Sequence, residues 1–296
     1  MTCSTLTFTR DVAAPVATLW QAWLAPAARA VWAAPSPDVA PSPDVTVEFL
    51  HSDPQTGGHE VSLCKAAGQP DIRCDAGWLD LVAETRSVNY ERVSTHGTTQ
   101  SAALITARFS AKAEASRIEV TVQLSSLAKD MEAGYRQGFG AGLDTLATVA
   151  ERTLLIRRRI NAPRSAVWGA WLDPQALPKW CGPDGFSCRT TRIDLRAGGE
   201  WVFDMIAPDG TVFPNHHRYH DIIPESRLSY SLLWGENGPK HADAWASFDE
   251  DTTGTVVTLG MIMSTAEEFR NAKAFGAEAL GLQTLGKLAR AAGEPA

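Results

Sequence analysis

Three tryptophans recur in register along this chain. Trp20, Trp23 and Trp32 return as Trp168, Trp171 and Trp180, each 148 residues on, and 148 is half of the 296 residues. Around them Val12-Ala13-Ala14-Pro15 corresponds to Ile160-Asn161-Ala162-Pro163, Leu24 to Leu172, and Pro26 to Pro174. A spacing held over three bulky residues is the signature of one structural unit used twice. The repeat predicts two domains, 1–151 and 152–296, each long enough to bury a core without disulfide or metal staples.

Composition enters through what it excludes. Hydrophobic content of 44% and charged content of 21% are ordinary for a globular domain. A net charge of -7 argues against a nucleic-acid surface, so no nucleic-acid partner is expected. The five cysteines, Cys3, Cys64, Cys74, Cys181 and Cys188, are odd in number. In a chain with an adequate core this suggests reduced thiols, hence a cytoplasmic location. There is no stretch of 18 apolar residues and no basic N-terminal region followed by an apolar run, so neither a membrane span nor a signal peptide is expected.

Each half reads as strand, two short helices, about six antiparallel strands and one long helix. In the first half Leu6–Val12 is the opening strand, Pro15 starts a helix, and Pro26 starts a second that reaches Trp32. Ala34-Pro35-Ser36-Pro37-Asp38-Val39 is repeated at once as Ala40-Pro41-Ser42-Pro43-Asp44-Val45. Proline at this density forbids helix and ladder pairing, so the segment reads as a loop. Strands follow over Val45–Leu50, His59–Lys65, Trp78–Val82, Ser87–Val93, Ala103–Phe109 and Arg117–Leu124, then a helix from Asp130 to Glu151.

The second half begins after about three residues, a junction that predicts two units held close. Leu154–Ile160 is a strand and Asn161–Leu172 a helix, and Asp173-Pro174 reads as the start of another. Strands are expected at Ser187–Leu195, Glu200–Ile206, Val212–His216, Arg218–Ile223, Arg227–Trp234, Ala242–Phe248 and Thr255–Met263. A single last helix over Ala266–Ala292 would present Phe269, Ala272, Phe275, Ala279, Leu282 and Leu285 on one face. Gly57-Gly58 and Gly198-Gly199 are matching turns, and Pro208-Asp209-Gly210 is a hairpin turn. A bent sheet must bury its concave face, and the long helix is the element available to cover it.

The second half resembles the activator-of-heat-shock-protein-90-ATPase-like branch of the SRPBCC superfamily. The matching residues are Ala162-Pro163, Trp168, Trp171, Asp173-Pro174, Trp180-Cys181-Gly182-Pro183 and Gly198-Gly199-Glu200-Trp201. Pro208-Asp209-Gly210, Pro214-Asn215, Tyr219, Pro224-Glu225-Ser226-Arg227-Leu228 and Gly254-Thr255-Val256-Val257 extend the match. The first half lacks the Trp-x-Gly-Pro and Pro-Asp-Gly segments and resembles the family weakly, as a degenerate copy that packs and stabilises. The resemblance implies an α+β fold of two tandem helix-grip (START-like) domains, each a curved antiparallel sheet wrapped on its C-terminal helix. It also implies a binder of hydrophobic or aromatic small molecules, lipid or polyketide-like, or else a polyketide cyclase or hydrolase, or a chaperone-associated module with a protein partner.

On this reading the ligand lies between sheet and helix of the second domain, with no cofactor and no catalytic set. Trp201, Phe203 and Met205 alternate to one side of their strand. With Trp180, His217, Tyr219, Tyr230, Leu232, Trp234 and Trp245 from the sheet side, and Phe275 and Leu282 from the helix, they form the expected ligand-binding set. Each also reads as ordinary core. The His216-His217-Arg218-Tyr219-His220 run suggests a metal, but on a strand His216 and His220 lie roughly 13 Å apart and His217 faces the other way. No metal site is therefore expected. Cys181, at a helix end beside Trp180, reads as a structural thiol in preference to a reactive one.

Overall fold

The computed structural model describes residues 1–33 and 45–294. Except for Val45, the proline-rich duplication lies outside them. The chain divides into two units, Met1–Glu151 and Arg152–Ala296.

In the first unit Thr2–Val12 forms β1, Val16–Leu24 forms α1 and Pro26–Trp32 forms α2. Strands β2 (Thr46–Ser52), β3 (His59–Lys65), β4 (Ile72–Val82), β5 (Arg86–Thr95), β6 (Thr98–Lys112) and β7 (Ala115–Ser126) precede α3 (Met131–Glu151). They make one antiparallel sheet in the order β1-β7-β6-β5-β4-β3-β2. The second unit repeats this plan. It runs β8 (Thr153–Ile160), α4 (Arg164–Leu172), α5 (Leu177–Trp180), β9 (Ser187–Ile193) and β10 (Glu200–Ile206). There follow β11 (Val212–Ile223), β12 (Arg227–Trp234), β13 (Lys240–Asp251), β14 (Gly254–Met263), α6 (Ala266–Ala274) and α7 (Ala277–Ala291). Its sheet order is β8-β14-β13-β12-β11-β10-β9. The architecture is the expected α+β helix-grip fold, present twice.

The repeat holds at the level of single contacts. The Trp20 ring meets Phe109 edge-on at 5.1 Å, and Trp168 meets Phe248 edge-on at 5.2 Å. Trp32 Nε1 donates to the Ala22 carbonyl at 2.8 Å, and Trp180 Nε1 to that of Ala170 at 2.9 Å. Ser116 closes on the Ala14 carbonyl as Thr255 closes on that of Ala162, both at 2.8 Å. The Gly-Gly turns explain themselves. Gly57 and Gly198 have φ of +83° and +75°, and a Cβ on Gly58 or Gly199 would overlap the carbonyl oxygen of Asp53 or Asp194. Each turn then ties down the neighbouring strand, through Gly58 O to Trp78 N at 2.9 Å and Gly199 O to Tyr219 N at 2.9 Å.

Four local expectations need correction. The helix expected from Asn161 starts at Arg164, because Pro163 is its N-cap. Asp173 ends α4 and does not open the next helix. Its carbonyl accepts Ala176 and Leu177 N–H in a tight turn, and α5 begins only at Leu177. The two strands expected either side of His217 are one, β11, since His217 pairs with both Trp201 and Leu232. The last helix is broken. Gly276 takes φ +80° between α6 and α7, and Thr265 starts α6 with a capping box to Glu268.

Candidate functional site

Strand register sets the floor of the site. Trp201, His217, Leu232 and Ala242 are neighbours across β10 to β13, and Tyr219, Tyr230 and Ala244 form the adjacent row. Paired residues share a face, so one side of the sheet is aromatic at β10–β12 and low at the β13 alanines. Trp171 and Trp180 from the short helices and Thr284 and Leu285 from α7 close the space above. The cavity between them is about 80 Å³, lined by Trp171, Leu177, Trp180, Cys181, Trp201, His217, Tyr219, Tyr230, Leu259, Thr284 and Leu285.

The rings are packed into a fixed arrangement. Trp201 stacks on Phe203 at 3.7 Å, and its Nε1 donates to Thr190 Oγ1 at 3.0 Å. His217 meets the edges of both, at 5.4 and 5.1 Å, and stacks on Tyr230 at 4.9 Å. Burial pushes the His217 imidazole down from 6.5 to about 3, and His241 and His216 add to the effect. Burial likewise raises the phenols of Tyr219 and Tyr230 above their ordinary value. All three polar groups are therefore neutral near neutral pH. The Cys188 thiol donates to the Cys181 carbonyl at 3.5 Å, which pins the cavity end of α5 to β9.

Of the expected ligand-binding residues, Trp180, Trp201, His217, Tyr219 and Tyr230 line the cavity. Phe203, Met205 and Leu232 belong to the packed core around it. Trp234 does not reach it: the side chain is 48% exposed and stacks on His241. Trp245 pairs with Ser229 and Gly260, on the opposite face of the sheet from Tyr230, and its ring lies over Gly260. Phe275 and Leu282 are 62% and 45% exposed. The helix turns Leu285, Leu288 and Ala289 inward, and a Cβ on Gly281 would overlap Ile156. The face nearest the sheet is thus marked by a glycine, and counting large apolar residues misses it.

Leu177, Leu259 and Thr284 are lining residues that sequence reasoning did not single out. Leu177 sits three positions before the repeated Trp180, which was the available signal. The histidine run is dispersed, with His216 Nε2 on Glu200 at 2.8 Å, His220 Nε2 on Ser231 at 2.9 Å, and His217 in the cavity. Among the described residues, no three His, Cys, Asp or Glu side chains converge as a metal site would require. No helix among them is long and apolar enough to cross a membrane.

The model of the family described as Activator of Hsp90 ATPase homolog 1-like protein matches residues 13–151 and again 161–293. The chain belongs to that family. Both halves match, including the first, whose sequence motifs are the weaker. Among solved structures, a putative uncharacterized protein from Rhizobium leguminosarum is 28% identical, covering 51% of this chain and 96% of its own, with a TM-score of 0.43. A protein from Nitrosomonas europaea is 27% identical, covering 48% and 94%, also at 0.43. No curated protein matches the chain. Membership of the Activator of Hsp90 ATPase homolog 1-like family is compatible with both small-molecule and protein interaction.

Proposed function

We propose that the second unit binds a hydrophobic or aromatic small molecule, lipid or polyketide-like, between its sheet and α7. The observation that carries this reading is the cavity itself: ring and aliphatic walls, with His217, Tyr219 and Tyr230 as neutral polar handles. Small-molecule sites combine apolar walls with a few such groups. At about 80 Å³ the empty cavity is smaller than the roughly 150 Å³ that admits benzene, so a ligand must move a wall. Thr284 and Leu285 lie on α7, which starts at the Gly276 break, and displacement there enlarges the space. A cyclase or hydrolase reading gains less support, because an imidazole held near 3 is a weak general base at neutral pH.

The test is binding of 1-anilinonaphthalene-8-sulfonate to the full chain, followed by its fluorescence. Trp201→Ala should weaken binding at least tenfold, whereas Ser62→Ala, at the position in β3 that corresponds to Phe203, should change it less than twofold. Equal effects would refute a site in the second unit.

A further inference from the structure

The first unit is polar where the second is aromatic. Its register places Glu60 beside Ala76, and Ala76 beside Glu91, in the row that corresponds to Trp201, His217 and Leu232. Above this row α2 supplies Arg29, at the repeat position of Leu177. The Arg29 guanidinium pairs with Glu60 Oε2 and lies over the rings of Phe49 and Trp78, at 4.8 and 5.3 Å from their centroids. Ser52 Oγ donates to the other Glu60 oxygen at 2.5 Å. The single cation of the cluster is thereby committed.

Glu91 receives only neutral donors, the Cys74 thiol at 3.6 Å and the Tyr135 phenol of α3. Burial raises its carboxyl above the ordinary value, against the opposing effect of Tyr135, Cys74 and Arg29. Two buried polar side chains beside it are incomplete. Asn89 is 7% exposed and Trp78 3%, and among the described residues neither the Asn89 Oδ1 nor the Trp78 Nε1 has a partner. They are register partners on β5 and β4, in the row next to Glu91 and Ala76, on the face that Arg29 covers. An unmade hydrogen bond of this kind is destabilising; a ligand with N–H donors would complete the Asn89 oxygen and would leave the Trp78 N–H as it is.

We propose that this cluster on β4 and β5 is a second binding site, for a small organic cation carrying a protonated amine. The ammonium would sit on the Glu91 carboxylate and the Asn89 carbonyl oxygen. A bound ammonium would favour the ionised form of Glu91, whose own hydrogen-bond donors are neutral. Both Glu91 and the free atom of Asn89 are acceptors, so the ligand must bring N–H donors. The short Ala76 side chain replaces His217 between them. This site is independent of the aromatic cavity and goes beyond the reading given for it.

Isothermal titration calorimetry on the full chain tests the proposal, with n-butylammonium and benzylammonium as probes and benzyl alcohol as the uncharged counterpart. Saturable binding of an ammonium probe is expected, without binding of benzyl alcohol. Glu91→Gln should weaken it at least tenfold and Asn89→Leu severalfold. Should Glu91→Gln fail to fold, Asn89→Leu alone decides. Absence of saturable binding by both ammonium probes, equal binding of benzyl alcohol, or indifference to the folded first-unit variants would overturn it. The last result would leave the cluster as a purely structural network.

Discussion

His217 shows what a single position can contribute. It is a strand residue between two sheet partners, Trp201 and Leu232, and it packs on three rings, the stacked Trp201–Phe203 pair and Tyr230. Unfolded, its imidazole titrates at 6.5; folded, at about 3. Between these values the unfolded chain takes up a proton that the native state refuses, so stability falls as the pH drops from 6.5 towards 3. At pH 5 the loss is about 2 kcal/mol. His217→Phe should remove that share, so that the drop in urea midpoint between pH 7 and pH 5 shrinks accordingly. An unchanged drop would mean that the imidazole is not held neutral. The residue's presence in the histidine run was legible in the sequence, and so was its facing away from His216. Its neutrality was not, because that depends on the rings brought around it by other strands.

At the scale of an element, the break between α6 and α7 is the feature that the apolar pattern concealed. Apolar residues continue at helical spacing through Phe275 and Leu282, so the sequence reads as one long helix. Gly276 instead adopts φ +80°, and Thr265 and Glu268 cap a separate α6. The sign of a substitution separates the two descriptions. In a continuous helix Gly276→Ala would gain about 1 kcal/mol. In the left-handed conformation a Cβ costs roughly 1–2 kcal/mol, so Gly276→Ala should lower the free energy of urea unfolding. A gain in stability would restore the single helix. The same break explains why the inward residues lie elsewhere: the register of α6 is not carried into α7, and Gly281 sets the approach of α7 to Ile156 on β8.

For the whole molecule, each unit repeats the same internal contacts, but the two differ in what they enclose. The second has a buried apolar cluster that runs from Leu154 to Ala289 among its described residues. Residues 152–296 expressed alone should therefore unfold cooperatively, with fluorescence and circular dichroism giving coincident urea transitions; separated transitions would show that the unit is not self-sufficient. The sequence by itself determined the duplication, the order of elements, the strand alternation and the Gly-Gly turns. These are encoded locally, in tryptophan spacing, in proline at helix starts, and in turns that only glycine can make. Tertiary structure alone decided that Trp245 faces the opposite side of the sheet, that Trp234 stands exposed, and that Leu285 is buried where Phe275 is not. It also paired Arg29 with Glu60 and left Asn89 and Trp78 incomplete inside the first unit. The reason is the same in each case. Periodicity identifies which residues share a face, but the surface packed against that face selects which side turns inward and which polar groups meet.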